Sequence, residues 1–238
     1  MKVLVLGASG ATGNLVVRQL INNKVNVKVV VRSGNNKLND LMHNELIEVV
    51  AVNISELDLI KIAELINDCD AIVSCLGHNI SFKGLFGKPR MLVSDSIKNI
   101  CNAIERSKKD NVKLILMNTT ANINRKLQEE YSCKDRFVLS LLTLLLPPQK
   151  DNVEAASYLT NVIGENNSKI EWIAVRPDTL INEEKVSDYN IFESIQRSPV
   201  SNAGKTSIIN VAQFIVELLH NNELWNVWKF RMPVIYNK

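Results

Sequence analysis

The chain has 238 residues, long enough for a sizeable core, with 46% hydrophobic residues and a formal net charge of +3. So small a basic excess argues against a general affinity for nucleic acid or for an anionic membrane surface. Four cysteines, Cys69, Cys75, Cys101 and Cys133, show neither a C-x-x-C spacing nor a disulfide framework, which fits reduced thiols in the cytoplasm.

Lys2 to Leu6 is an apolar run that reads as a buried first strand, which leaves no room for a signal peptide before it. It runs into Gly7-Ala8-Ser9-Gly10-Ala11-Thr12-Gly13, and apolar residues then recur at helical spacing through Ile21. Strand, glycine turn and helix follow one another. Gly7 permits a sharp bend, Gly10 a close backbone approach to a ligand, and Gly13 a helix packed against the strand. The ligand expected at such a turn is a pyrophosphate, because the first N–H groups of a helix lack internal partners and its dipole favours an anion. Ser9 and Thr12 add hydroxyl donors. Three small residues in a plain strand-to-helix corner are the bland alternative, and a second strand following the helix favours dinucleotide binding.

Asn26 to Val31 reads as that second strand, ending at Arg32-Ser33-Gly34-Asn35. An acidic residue here would hold a ribose 2′-hydroxyl, whereas an arginine pairs with a 2′-phosphate. The chain has Arg32 and no acid, so NADP(H) is expected ahead of NAD(H); a solvated strand-end arginine is the other reading. Leu46 to Val52 is a third strand. Asn53 and Ile54 follow it, on the side where adenine lies in a doubly wound sheet. Ser55 and Asp58 resemble a helix cap before Leu57 to Ile66.

Asp70 to Leu76 is the fourth strand, and Cys75, Leu76 and Gly77 at its end would pass beside the nicotinamide ribose, where small residues permit close approach. His78 follows, either as a donor to substrate or as a solvated loop histidine. The glycine-containing basic stretch Phe82 to Pro89 is a candidate cover for the cofactor. A long amphipathic helix is expected over Met91 to Ser107 and a fifth strand over Val112 to Met117, ending in Asn118-Thr119-Thr120. Five strands with intervening helices imply a parallel sheet with ligands at the strands' C-terminal ends.

Asn122 to Glu130 is polar and reads as a mobile loop. Phe137 to Leu146 is an apolar helix that stops at Pro147-Pro148, broken by Ser140 and Thr143 and too short to cross a bilayer. Asp151 or Asn152 then caps a helix to about Ile163. Ile170 to Val175 is a sixth strand running into Arg176-Pro177. Asn210 caps a helix from Val211 to His220, and Lys229 to Tyr236 reads as a final edge strand that tolerates Pro233. No Gly-, Ser- or Pro-rich linker intervenes. The expectation is one domain over residues 1–238, an α/β doubly wound Rossmann-like parallel sheet with a small C-terminal substrate-side portion.

With the turn G-A-S-G-A-T-G, the Asp151-Asn152 pair after Pro147-Pro148, the strand end W-I-A-V-R-P and the late Asn210-Val211-Ala212 helix, the chain resembles the short-chain dehydrogenase/reductase superfamily. Within it, the chain is similar to the atypical branch of NmrA-like and flavin reductase/biliverdin reductase B proteins. The resemblance implies that Gly7, Ser9, Gly10, Ala11, Thr12 and Gly13 hold the pyrophosphate and that Arg32 and Ser33 meet the 2′-phosphate. It implies Asn53 and Ile54 at adenine, Cys75, Leu76 and Gly77 by the ribose, with Asn118 at the same rim. Thr119 and Thr120 stand where many relatives carry a serine near the nicotinamide. The Tyr-x-x-x-Lys pair of ordinary members is missing. Tyr131 has Lys134 three residues on rather than four, and Tyr158 is followed by Val162. Hydride transfer to a small conjugated acceptor such as a flavin or quinone, with protonation from water, is therefore the expected reaction. The alternative is a non-catalytic NADP(H)-sensing regulator with a protein partner, as in NmrA-like proteins.

Overall fold

The computed structural model describes residues 1–32, 34, 37–78 and 86–238. β1 (Lys2–Leu6) leads into α1 (Ala11–Asn22), β2 (Asn26–Val31), β3 (Ile47–Ala51) and α2 (Leu59–Ile66). β4 (Ala71–Ser74), α3 (Leu92–Arg106) and β5 (Val112–Met117) come next, followed by α4 (Cys133–Leu145), α5 (Pro147–Tyr158) and β6 (Ile170–Pro177). The chain ends with β7 (Thr179–Ile181), β8 (Tyr189–Phe192), β9 (Lys205–Ser207), α6 (Ile208–His220), α7 (Asn222–Trp228) and β10 (Val234–Asn237).

Eight strands form one sheet in the order β3-β2-β1-β4-β5-β6-β10-β8, parallel except for β8, while β7 and β9 make a small parallel pair of their own. The strand order reverses between β1 and β4, so a crevice opens at their C-terminal ends. The fold is the α/β Rossmann-like architecture that the sequence predicts. Alternation along β1 explains its two cores: Val3 and Val5 pack with α1 and α6 on one face, Leu4 and Leu6 with α2, α3 and α5 on the other.

Several local expectations are corrected, each for a physical reason. Asp58, not Ser55, caps α2, accepting from the Lys61 N–H at 2.9 Å, while Asn53 caps a short 3-10 turn over Ile54–Glu56. Pro147 and Pro148 open α5 instead of merely ending α4, since a missing N–H costs nothing in a first helical turn. Asp151 therefore lies inside α5, and it caps a different helix: its carboxylate accepts from the Val93 and Ser94 N–H groups of α3, each at 2.8 Å. α5 passes into a π turn over Leu159–Ile163 that closes on Gly164.

Ser207 caps α6, and Asn210 is buried in its first turn with its amide bonded to Ser187 Oγ and Asn237 Oδ1. β10 is an interior strand, because β8 pairs antiparallel on its outer side and takes the edge. Pro233 just precedes β10, and its carbonyl accepts from the Arg176 N–H at 2.8 Å. The loop expected to be mobile, Asn122 to Glu130, is anchored: Asn122 and Asn124 are buried, and Glu129 pairs with Arg176. α4 buries only Asp135 and Leu139, leaving Phe137, Leu141, Leu144 and Leu145 exposed. Among the described residues, no helix is long and apolar enough to cross a membrane.

Candidate functional site

The glycine turn sits at the crevice between β1 and β4. Gly7 adopts φ +74°, and a Cβ there would stand 2.4 Å from the Cys75 carbonyl oxygen; one on Gly13 would stand 2.3 Å from the Gly7 oxygen. These two glycines are required by close packing of turn, helix and β4 end. Gly10 differs, because among the described residues its added Cβ would meet only the Gly7 oxygen, at 3.1 Å. Gly10 is exposed and is the N-cap residue of α1, which has neither a side-chain cap nor an acidic residue in its first turn. A twelve-residue helix thus points its positive end and uncapped N–H groups at the crevice mouth without any anion of its own. Such a donor set fits a pyrophosphate. Ser9 is half-buried and Ala11 exposed on the same turn, while Thr12 is only 6% exposed.

On the β2 side, Arg32 is exposed and has no ion-pair partner among the described residues. Ser33 lies outside the described residues, as do Phe82 to Leu85 of the expected cover. The segment after β2 is tied back to α1: Asn14 Nδ2 donates to the Lys37 carbonyl at 3.4 Å, and Arg18 pairs with Asp40 at 2.7 Å. Asn53 is half-buried with its amide bonded to Glu56 and Ser55, and Ile54 packs into the core.

At the β4 end, Cys75 N–H donates to the Leu6 carbonyl at 3.0 Å, which joins this segment to the turn. Burial pushes the Cys75 thiol up to about 12, so it is a packing group and not a nucleophile. Leu76 is half-buried, Gly77 is exposed, and a Cβ on Gly77 would meet nothing within 4 Å among the described residues. His78 departs from the solvated reading. Its side chain is 7% exposed, with Nε2 2.8 Å from Oδ2 of the fully buried Asp151. Burial favours the protonated Asp151 carboxyl, but bonds from His78 and from the Ser94 and Val93 N–H groups outweigh it and hold the group below its ordinary range.

The β5 end separates the two threonines. Asn118 is buried, donating to the Asn152 carbonyl at 2.9 Å and accepting from the Thr119 N–H at 2.9 Å. Thr119 is half-buried, and its hydroxyl oxygen accepts from the Ala121 N–H, leaving the hydroxyl proton for another acceptor. Thr120 is 1% exposed, its N–H donating to the Pro177 carbonyl. Tyr131 donates its hydroxyl to the Thr120 carbonyl at 2.6 Å, burial pushes its phenol upward, and Lys134 is exposed. A lysine-activated tyrosine would be shifted the other way. Tyr158 packs against the core face of α3 and α5.

Beyond Thr120 lies a cavity of about 700 Å³ between the Ala121–Lys126 segment, α4 and α5. Sequence reasoning did not find it, nor the Glu129–Arg176 and His78–Asp151 pairs. For the first pair a signal exists: an arginine at the end of a buried strand needs a carboxylate, and Glu129 and Glu130 close the preceding polar loop.

A protein-family model described as NAD(P)H-binding matches residues 7–222. No curated protein sequence matches significantly. Among solved structures, the chain is similar to a candidate NADH-flavin reductase from Streptococcus pneumoniae, at 16% identity and a TM-score of 0.69, covering 100% of both chains. It is also similar to an anaerobilin reductase from Escherichia coli O157:H7, at 14% identity and a TM-score of 0.70, covering 100% of this chain and 97% of that one. A short-chain dehydrogenase/reductase from Veillonella parvula in complex with NADP shares 13% identity and a TM-score of 0.70, covering 99% of this chain and 94% of that one. At these identities the likeness is one of fold.

Proposed function

The chain belongs to the NAD(P)H-binding family, and on that premise we propose that it is an NADP(H)-dependent reductase of a small conjugated acceptor such as a flavin, quinone or bilin. The observation that carries the reading is the α1 N-terminus, uncapped by any side chain and aimed into the crevice beside Gly10. Gly7, Ser9, Gly10, Ala11, Thr12 and Gly13 would hold the pyrophosphate there. Arg32, exposed and without an ion-pair partner among the described residues, supports a 2′-phosphate and hence NADP(H) over NAD(H). Cys75, Leu76 and Gly77 would flank the ribose, with Asn118 holding the rim.

A bound reduced nicotinamide supplies a hydride, and a proton from water completes the two-electron reduction of the acceptor. The protein's part is orientation. Thr119 retains a hydroxyl proton for the acceptor, whereas Thr120 is 1% exposed. Tyr131, bonded to a backbone carbonyl and pushed upward by burial, is poorly suited to donate a proton, which supports acceptors that need no strong protein acid. His78 is held by Asp151 at the same edge and is a second candidate for orienting the acceptor. The test follows NADPH absorbance with flavin mononucleotide, menadione and biliverdin. Turnover of at least one is expected and should fall in Thr119→Val. Background rates with all three, together with tight NADPH binding, would favour the sensor alternative.

A further inference from the structure

We propose that the cavity between the Ala121–Lys126 segment and helices α4 and α5 receives an anionic arm of the acceptor, with Arg125 and Arg136 selecting it. The inference rests on the reductase reading and names the acceptor's class: a planar conjugated molecule ending in a phosphate or carboxylate. At about 700 Å³ the cavity is within the size range of small-molecule sites. Leu139, Leu144 and Val153 give it apolar walls, and its lining contains four basic residues and no carboxylate.

Two of those cations are already matched. Lys126 pairs with Glu165 at 2.7 Å, and Lys150 approaches Glu154 at 3.8 Å. Arg125 and Arg136 have no ion-pair partner among the described residues. A concave, partly apolar space with two unpaired guanidinium groups favours an amphipathic anion, because each planar fork binds an oxyanion in bidentate fashion.

The cavity adjoins the reacting edge. Ala121, whose N–H bonds the Thr119 hydroxyl, lines it, and so does Tyr131, whose hydroxyl is 2.6 Å from the Thr120 carbonyl. A ring seated over the β5 end at Thr119 would therefore send its side arm past Ala121 into the basic space. Arg176 keeps this wall in place by donating to the Asn122 carbonyl at 2.9 Å.

Flavin mononucleotide and riboflavin share a ring and differ by one phosphate, and biliverdin and its dimethyl ester differ by carboxylate charge. Dissociation constants of each pair are measured by fluorescence or absorbance, and KM values with NADPH alongside them. The charged member is expected to bind roughly tenfold or more tightly in at least one pair, which also tells phosphate from carboxylate. In the Arg125→Gln/Arg136→Gln double variant the ratio should fall toward one, and in Arg106→Gln, an exposed charge on α3, it should persist. Equal affinities within both pairs, or a ratio untouched by the double variant, would overturn the proposal. Preferential binding without turnover would leave the arm site standing and remove only the reductase reading.

Discussion

Glu129 and Arg176 are joined by a buried bidentate ion pair, with Nη1 to Oε2 at 2.7 Å and Nη2 to Oε1 at 2.8 Å. Neither end has spare capacity. Glu129 also accepts from the Asn124 and Ile195 N–H groups, while Arg176 also donates to the Met232, Asn122 and Glu193 carbonyls. The pair pins the polar loop of the cavity wall to β6 and to the segment before the last strand.

Truncation of one partner strands a buried charge, which costs far more than the pair contributes. Glu129→Ala is expected to lose about 3–5 kcal/mol in urea unfolding. Glu129→Gln, which keeps an acceptor oxygen, should lose less. A loss within about 0.5 kcal/mol for Glu129→Ala, the range of an ordinary surface change, would show that the pair is not the strut described.

Asp151 contributes to the acid-side pH dependence, together with Asp68 and Glu48, whose carboxyls are also held low by Lys2 and Lys28. The folded pKa of Asp151 lies below the ordinary 3.8, so its contribution is complete above roughly that pH and is lost as pH falls through the lower folded value. Asp151→Asn should be less stable than the parent by about 2 kcal/mol at pH 7, with the gap closing in strongly acidic buffer. A gap of constant size across the titration contradicts the assignment.

The three glycines of the turn separate fold from ligand. Gly7→Ala and Gly13→Ala force a Cβ within 2.4 Å and 2.3 Å of backbone oxygens, and each should cost about 2–4 kcal/mol in thermal or urea unfolding. Gly10→Ala meets one oxygen at 3.1 Å and should unfold within about 1 kcal/mol of the parent. Its nicotinamide nucleotide affinity should nevertheless drop roughly tenfold, read by calorimetry. Unchanged affinity in Gly10→Ala would remove the ligand role of the turn and leave only its packing role.

The strands and the glycine turn were legible because their signals are local: apolar runs, small residues and a 3.6-residue period. β5 spans Val112–Met117 as expected from its apolar run alone. Caps were misplaced where several polar residues competed: Ser55 lost to Asp58, and Asn210 to Ser207. Asp151 looked like the cap of its own helix and caps α3 instead, at a separation of 58 residues that no local pattern encodes. The buried His78 and the anchored Glu129 were hidden for the same reason, since their partners lie 73 and 47 residues away. β10 read as an edge strand because only the fold reveals that β8 pairs outside it.

Isothermal titration of NADPH and NADH into the purified protein and into Arg32→Gln tests the central claim most directly. The parent should bind both, with NADPH favoured roughly tenfold or more and the preference gone in the variant. Absence of heat for either nucleotide at millimolar concentration would contradict the assignment of the crevice, and equal affinity for both would contradict the part given to Arg32.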